Sequence, residues 1–366
     1  MFFQRMSTIS GIVRLTVLVA LAVAAAGCGS SGHTGAASGS PATGSGDKAV
    51  KVALVLPFTG IAFMQHQIDG AETAAKDLNV DLSVVTGQGP DPAAQVKLMD
   101  DAITAGAKGL VVMPIAPALF TRPLKDASDK GLPVSTITIH AEDGVQQAYV
   151  GSSEYDFVKP SIKHLADKWG RNATGKVVLG TCSTGTGILE DRTGAQKKYF
   201  AEYLPNIQVV GPFVTAQEAG KNYSVWQSVI GSNADARLFL GNCPFDGASL
   251  AKAKAATPGA KWEAASLGVG PEMLKGIRNG DLLFGTDEVE WARAYVGVQL
   301  VAKALRGGPK IANGWIDTGS ELVTADNVEK VATRYDAKSA EAKPLFQDFI
   351  DKGTSGPARP LAALKP

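Results

Sequence analysis

The sequence predicts an α/β protein built from two doubly wound parallel-sheet lobes. Two observations carry this expectation. Short, almost unbroken apolar runs recur along the chain, VALVL at 52–56, GLVVM at 109–113 and RLFL at 237–240, as strands covered on both faces of a parallel sheet require. Stretches with apolar residues at helical spacing separate such runs, and the alternation of strand and helix goes through twice, up to Val150 and again from Asp156.

The first unit sets the pattern. Val52 to Leu56 is a strand that ends at Pro57, which cannot donate to a ladder. Ile68, Ala71, Ala74, Ala75 and Leu78 then recur at helical spacing. Between them Phe58, Ile61, Phe63 and Met64 make a loop too apolar for a plain surface connection. Ligands of open α/β sheets bind beyond the carboxyl ends of the strands, so Phe58 to Gln65 is expected to border a ligand pocket. Phe58 by itself fits equally well as a cap on the core.

The rest follows in order. Asp81 to Thr86 is a strand; Asp91-Pro92 opens a helix, with Pro92 at a favoured first-turn position. Gly109 to Met113 is a strand stopped by Pro114, Ala118 to Lys130 a helix, Val134 to Ile139 a strand, and Tyr149 with Val150 a short fifth. In the second half, strands are expected at Lys176 to Gly180, Ile207 to Val210, Arg237 to Leu240 and Trp262 to Leu267, with Leu282 to Thr286 closing the sheet. Helices are expected at Asp156 to Trp169, Ile188 to Tyr203, Asn222 to Ile230, Ala248 to Ala256 and Pro271 to Asn279. A long helix, Glu290 to Leu305, stops at Gly307-Gly308-Pro309; a strand end and helix start follow over 321–331, with Thr324 or Asp326 as the N-cap. The Pro/Gly-rich residues 353–366 read as a loosely ordered tail. Two similar halves imply a cleft between them, where ligand sites are favoured.

Composition narrows the function. The chain has 366 residues, 45% of them hydrophobic, and a formal net charge of +1, enough for two ordinary domains. Its Lys and Arg form no run, so nothing suggests a nucleic-acid surface. GTCSTG at 180–185 has its glycine one position off a nucleophile elbow. The Gly185-Thr186-Gly187 loop has no following Lys-Ser/Thr for a P-loop. HExxH and GxGxxG after the first strand are both absent. No catalytic residues, cofactor or metal are therefore expected; Asp287, Glu288 and Glu290 read as hinge-side hydrogen-bonding groups more simply than as an acid/base pair.

The first 27 residues read as a signal peptide: Arg5 and Arg14 precede an apolar segment, Leu15 to Ala26, too short to span a bilayer. Ala25-Ala26-Gly27-Cys28 resembles the bacterial lipoprotein signal, with Ala25 where Leu is preferred. Lipidation is expected on Cys28, followed by a Gly/Ser/Ala/Thr tether to residue 47 that would hold a folded body just outside a membrane. A plain cut leaving a free N-terminus is the alternative. Cys182 and Cys243 each follow a strand; a disulfide and two buried thiols both fit. No His or further Cys stands at zinc-ligand spacing.

Taken together, PFTGIAFMQHQIDGAETAA, GLVVMP, LPVSTITI, YVGSSEYD, ARLFLGN and LVTADNV, in that order over roughly 49–331, resemble the type I periplasmic binding proteins of ribose- and galactose-binding type that feed sugar ABC importers. The resemblance implies two doubly wound lobes joined by a multi-strand hinge. The first lobe would be 48–153 plus 289–316, and the second 154–288 plus 317–366. It implies a monomer that closes on a small ligand and passes it to an ABC permease. Phe63 and Met64 match ring-stacking positions, and Thr138 and Ile139 stand where an Asp-Arg pair is common, with His140 next. Arg192 matches an Arg at the head of a second-lobe helix, Asn242 an Asn at a strand end, and Glu288 a Gln or Asp near the hinge. The missing carboxylates point away from a typical hexose toward a polyol, a pentose, a modified sugar or a ligand outside sugars. A sensor presenting its ligand to a membrane receptor is the alternative role.

Overall fold

The computed structural model of the chain describes residues 48–366 apart from 143, 144 and 146. The expected signal peptide, the lipidation site Cys28 and the tether lie outside the described residues.

The first lobe is wound around β1 (Val50–Leu56), α1 (Ala62–Asp77), β2 (Val80–Thr86), α2 (Pro92–Thr104), β3 (Gly109–Val112), α3 (Pro117–Asp129), β4 (Val134–Ile137) and β5 (Ala148–Gly151). The chain then crosses and builds α4 (Glu154–Trp169), β6 (Gly175–Thr181), α5 (Gly187–Tyr203), β7 (Ile207–Val214), α6 (Ala219–Ser232), β8 (Ala236–Gly241), α7 (Pro244–Ala255), β9 (Glu263–Ser266), α8 (Pro271–Asn279) and β10 (Gly285–Asp287). It returns for α9 (Glu290–Leu305) and β11 (Gly314–Asp317), and crosses a third time for β12 (Glu321–Val323) and α10 (Val328–Asp336). The first sheet runs β11-β5-β4-β3-β1-β2 and the second β7-β6-β8-β9, every pair parallel.

Strand periodicity decides which helices cover which face. In β1, Val52, Leu54 and Leu56 face α1 and α9, while Ala53 and Val55 face α2 and α3. In the second lobe, Val178 and Phe239 meet Trp226, Leu250 and Met273, while Val177, Leu179 and Leu240 meet Phe157 and Phe200. Each fully buried aliphatic side chain contributes about 1.5–3 kcal/mol. The helices α1 and α9 touch backbone to backbone: a Cβ on Gly70 would lie 2.0 Å from Trp291 O, so only glycine permits this approach.

Several expectations are corrected. The stretch 282–286 does not close the second sheet. Leu283 donates to Ala264 O at 2.8 Å, and then β10 leaves to pair antiparallel with β12, because the second and third crossings run side by side. The edge strand β11 is an element that the sequence pattern did not predict. Asn327, not Thr324 or Asp326, is the cap of α10.

The end of the chain belongs with the first lobe, against its assignment to the second. Ala342 of α11 (Ser339–Ala342), Phe346, and Ile350 of α12 (Gln347–Ser355) join the core around Trp291. Phe346 stacks on Trp291 with ring centres 5.1 Å apart. Nor is the tail loose: Trp315 and Arg359 exchange backbone hydrogen bonds of 2.7 and 2.8 Å. Leu364, 8% exposed, packs on Tyr149 and Trp315. Deleting residues 361–366 is therefore expected to lower the unfolding free energy by roughly 2 kcal/mol, measured by urea denaturation.

Candidate functional site

In an open α/β sheet the binding crevice opens where the strand order reverses. The first sheet reverses between β1 and β3, the second between β6 and β8. The loops leaving these strands close on one another around a cavity of about 100 Å³. Phe58, Phe63 and Met64 come from the loop and helix start after β1, Met113 and Ile115 from the loop after β3, and Thr138 with Ile139 from the end of β4. From the other lobe come Cys182 after β6, Cys243 after β8, Gln217 after β7, and Ile188 and Arg192 on α5. Cys182 and Cys243 are joined in a disulfide with Cα atoms 6.2 Å apart. This bridge clasps the second switch point, and both of its residues line the cavity.

The site residues proposed from the sequence separate into three groups. Phe58, Phe63, Met64, Thr138, Arg192 and Glu288 all line this cavity. His140 lines a neighbouring cavity of about 330 Å³, with Nδ1 2.8 Å from Ala141 O. Gln65 and Asn242 line neither. Gln65 follows Met64 on α1 and so turns about 100° away, to an exposed position where it donates to Asp69 Oδ1 at 2.8 Å. Asn242 is fully buried behind the wall, its Nδ2 3.2 Å from Thr193 Oγ1 and its backbone carbonyl accepting from Arg192.

Arg192 does not stand free in the cleft. Its Nε donates to Glu154 Oε2 at 2.6 Å, and its Nη1 to Asn242 O at 2.8 Å and Glu288 Oε1 at 3.2 Å. Its guanidinium lies 4.4 Å from the centre of the Phe157 ring. The chain of charge continues: Arg293 Nη1 lies 3.4 Å from Glu288 Oε2 and 2.6 Å from Glu290 Oε1, and its Nη2 donates to Ser152 Oγ at 2.8 Å. Glu290 also accepts from Gln67 Nε2 and Thr138 Oγ1. Every ion in the chain is at most 7% exposed. Glu154, Glu290 and Arg293 were not picked out as ligand-site residues. The legible signal was the pair Glu290 and Arg293, one turn apart at the head of an otherwise apolar helix.

Burial pushes the Glu290 carboxyl up to about 7 against the pull of Arg293, and the charge on Glu288 adds to the rise. Burial also raises Glu154, against Arg192. Two residues beside this network hold left-handed backbone, Thr138 at φ 65° and Val289 at φ 53°. For side chains branched at Cβ this costs energy, of the kind found at binding sites and switch regions.

The arrangement is a cleft between two lobes. The periplasmic binding protein domain family matches residues 52–309; the chain belongs to this family, which makes it a binding protein and not an enzyme. It is 23% identical over 271 residues to the xylose/arabinose-binding protein of Sulfolobus acidocaldarius, covering 69% of this chain and 66% of that one. It is 26% identical over 172 residues to the ribose import binding protein of Haemophilus influenzae, covering 47% of this chain and 57% of that one. The chain thus spans just under two thirds of the length of the first relative and less of the second. Among solved structures, a glucose-galactose binding protein from Geobacillus stearothermophilus is similar at TM-score 0.69 and 19% identity, over 76% of this chain and 99% of that one. An ABC transporter solute-binding protein from Burkholderia graminis, in complex with D-arabinose, is similar at TM-score 0.71 and 23% identity, over 76% and 96%. These likenesses show the type I periplasmic-binding-protein fold.

Arg192→Ala would leave Glu154 and Glu288 buried without their partner. It is expected to cost roughly 3–5 kcal/mol of stability, read from denaturant midpoints, whether or not ligand is present. Glu290 adds a pH dependence. Its folded pKa lies above its unfolded value, so the folded state holds the proton more tightly, and stability is lost as pH rises from about 4.5 to about 7. Glu290→Gln should flatten the fall in melting temperature across that window; an unchanged slope would place the titration elsewhere.

Proposed function

We propose that this chain is a solute-binding protein that works outside the cytoplasmic membrane. It is anchored through a lipid on Cys28, holds a small carbohydrate or polyol between its lobes, and delivers it to an ABC permease. One observation carries the reading: the two switch points of two like-wound sheets face each other across a cavity walled on one side by Phe58 and Phe63 and on the other by Arg192 and Glu288. Aromatic rings suit the apolar C–H face of a sugar ring, and buried charged groups suit its hydroxyls. Family membership supports the same reading, as do relatives named for xylose, arabinose and ribose. No described helix is long and apolar enough to cross a membrane.

The mechanism is a population shift. Four crossings, after β5, after β10, after β11 and after α10, join the lobes. A ligand that touches both walls binds the closed arrangement better than the open one and shifts the equilibrium by that difference. The permease then distinguishes loaded from empty protein by lobe geometry.

A thermal-shift screen over pentoses, hexoses, polyols, amino acids and nucleosides tests this. A carbohydrate or polyol at 100 times its Kd should stabilise the protein by about 2.7 kcal/mol, an upward shift of several degrees. A panel in which only amino acids or nucleosides stabilise would sink the carbohydrate reading.

A further inference from the structure

The cavity between the switch points is too small to hold a sugar by itself. It has about 100 Å³, whereas a benzene ring occupies a cavity of roughly 150 Å³, and even a pentose is larger than benzene. Polar valences are nevertheless open in it. Arg192 donates through Nε and Nη1, which leaves Nη2 without a described partner. Gln217 donates one N–H to Ser183 Oγ, and its Oε1 accepts from no described residue. A sugar bound at these groups therefore extends beyond this cavity. The adjoining cavity, of about 330 Å³, meets it at Thr138, Ile139 and Ile188, which line both.

The end of the chain closes this adjoining cavity. Leu364 and Lys365 line it, well beyond residue 309, where the family match stops. The tail is fixed there by the first lobe: Trp315 and Arg359 exchange backbone hydrogen bonds, and Leu364 packs on Tyr149 and Trp315. Ser153 Oγ, at the cap of α4, donates to Leu364 O at 2.5 Å. Lys365 then reaches the second lobe, with Nζ 2.7 Å from Asp191 Oδ1 on α5. An ammonium has three donors, and this pair occupies one of them. Opposite valences are open nearby. Glu154, 7% exposed, binds Arg192 through Oε2, while its Oε1 accepts from no described residue. A carboxylate oxygen buried without a partner is costly, and a ligand hydroxyl would satisfy it.

We propose that the ligand site takes in both cavities and that the C-terminal tail completes it, with Lys365 donating to a hydroxyl of the bound sugar as a specificity-determining residue. The sugar keeps its contacts with Phe63 and Arg192 in the first cavity. It reaches past Thr138 and Ile139 to Glu154 Oε1 and Lys365 Nζ in the second. Asp191 holds the ammonium in place from the second lobe, while the backbone of the tail is held by the first. This rests on the carbohydrate reading above and deepens it.

The test is calorimetric titration of the full folded protein with D-xylose, L-arabinose, D-ribose and D-galactose, then with the monodeoxy analogues of the tightest binder. Lys365→Met keeps the apolar stem and removes the donors; the Lys365 side chain is 61% exposed, so the melting temperature should stay in place. The variant should bind the tightest sugar roughly tenfold more weakly, as the loss of a hydrogen bond to a charged group entails. One monodeoxy analogue should bind the unaltered protein about tenfold more weakly and lose nothing further in Lys365→Met, because the missing hydroxyl and the missing ammonium are each other's partner. Affinity within about twofold of the unaltered protein would overturn the inference and leave the carbohydrate reading standing. So would an equal loss for every analogue, which would mean that the tail acts through Asp191 and not by contact. Binding of none of the four sugars would remove both.

Discussion

Two guanidiniums and three carboxylates share one water-excluded volume at the hinge, and the geometry of the cleft depends on them. Removing each ion from water costs several kcal/mol, and only alternation of sign with full hydrogen bonding offsets it. The alternation here is spatial. Arg192 lies between Glu154 and Glu288, and Arg293 between Glu288 and Glu290. The five residues come from the head of α4, from α5, from the second crossing and from α9. No one of these elements can move far without leaving a buried charge unpaired. The network therefore sets where α5 stands relative to the crossings, and so which side chains its first turn presents to the cleft.

A second network secures the crossings from behind. Arg334 of α10 pairs with Glu321 and lies 3.4 Å from Asp287 Oδ2, and Tyr335 Oη donates to Asp287 Oδ1 at 3.1 Å. Asp287 and Glu321 are opposite one another in the β10–β12 ladder, so the ion pairs tie two crossings together. His66 of α1 packs on Tyr335 with ring centres 4.0 Å apart and planes tilted by 32°, and burial lowers its pKa. The first lobe thus touches the second through neutral, packed groups here and through ions in front.

Much of this was legible in the residues. Each strand with a continuous apolar run, such as 52–56 or 237–240, lies where its pattern placed it, because burial on both faces leaves no alternative reading. The apolar loop after β1 was likewise legible as a cavity wall, since Phe58, Phe63 and Met64 have no polar reason to be there. What failed was set by partners far along the chain. The strand β10 was misassigned because its neighbour, β12, lies across a helix and a further strand of the other lobe. Gln65, one helical step from Met64, stands at an exposed position off the cavity wall. Asn242 lies behind a wall made by Arg192 and Leu189, residues about fifty positions earlier.

By itself the sequence determined the fold class, the two-lobed winding, the aromatic loop and the absence of catalytic motifs, all of which rest on local periodicity and on residue type. Only the tertiary structure decided that Cys182 and Cys243 meet at the second switch point, that the closing residues pack on the first lobe, and that Arg192 and Glu288 have their charges engaged in the hinge. The physical reason is the same in each case. Apolar patterning is additive along the chain, whereas a buried ion or thiol takes its role from the one partner that folding brings within about 3 Å, and sequence spacing carries no record of that distance.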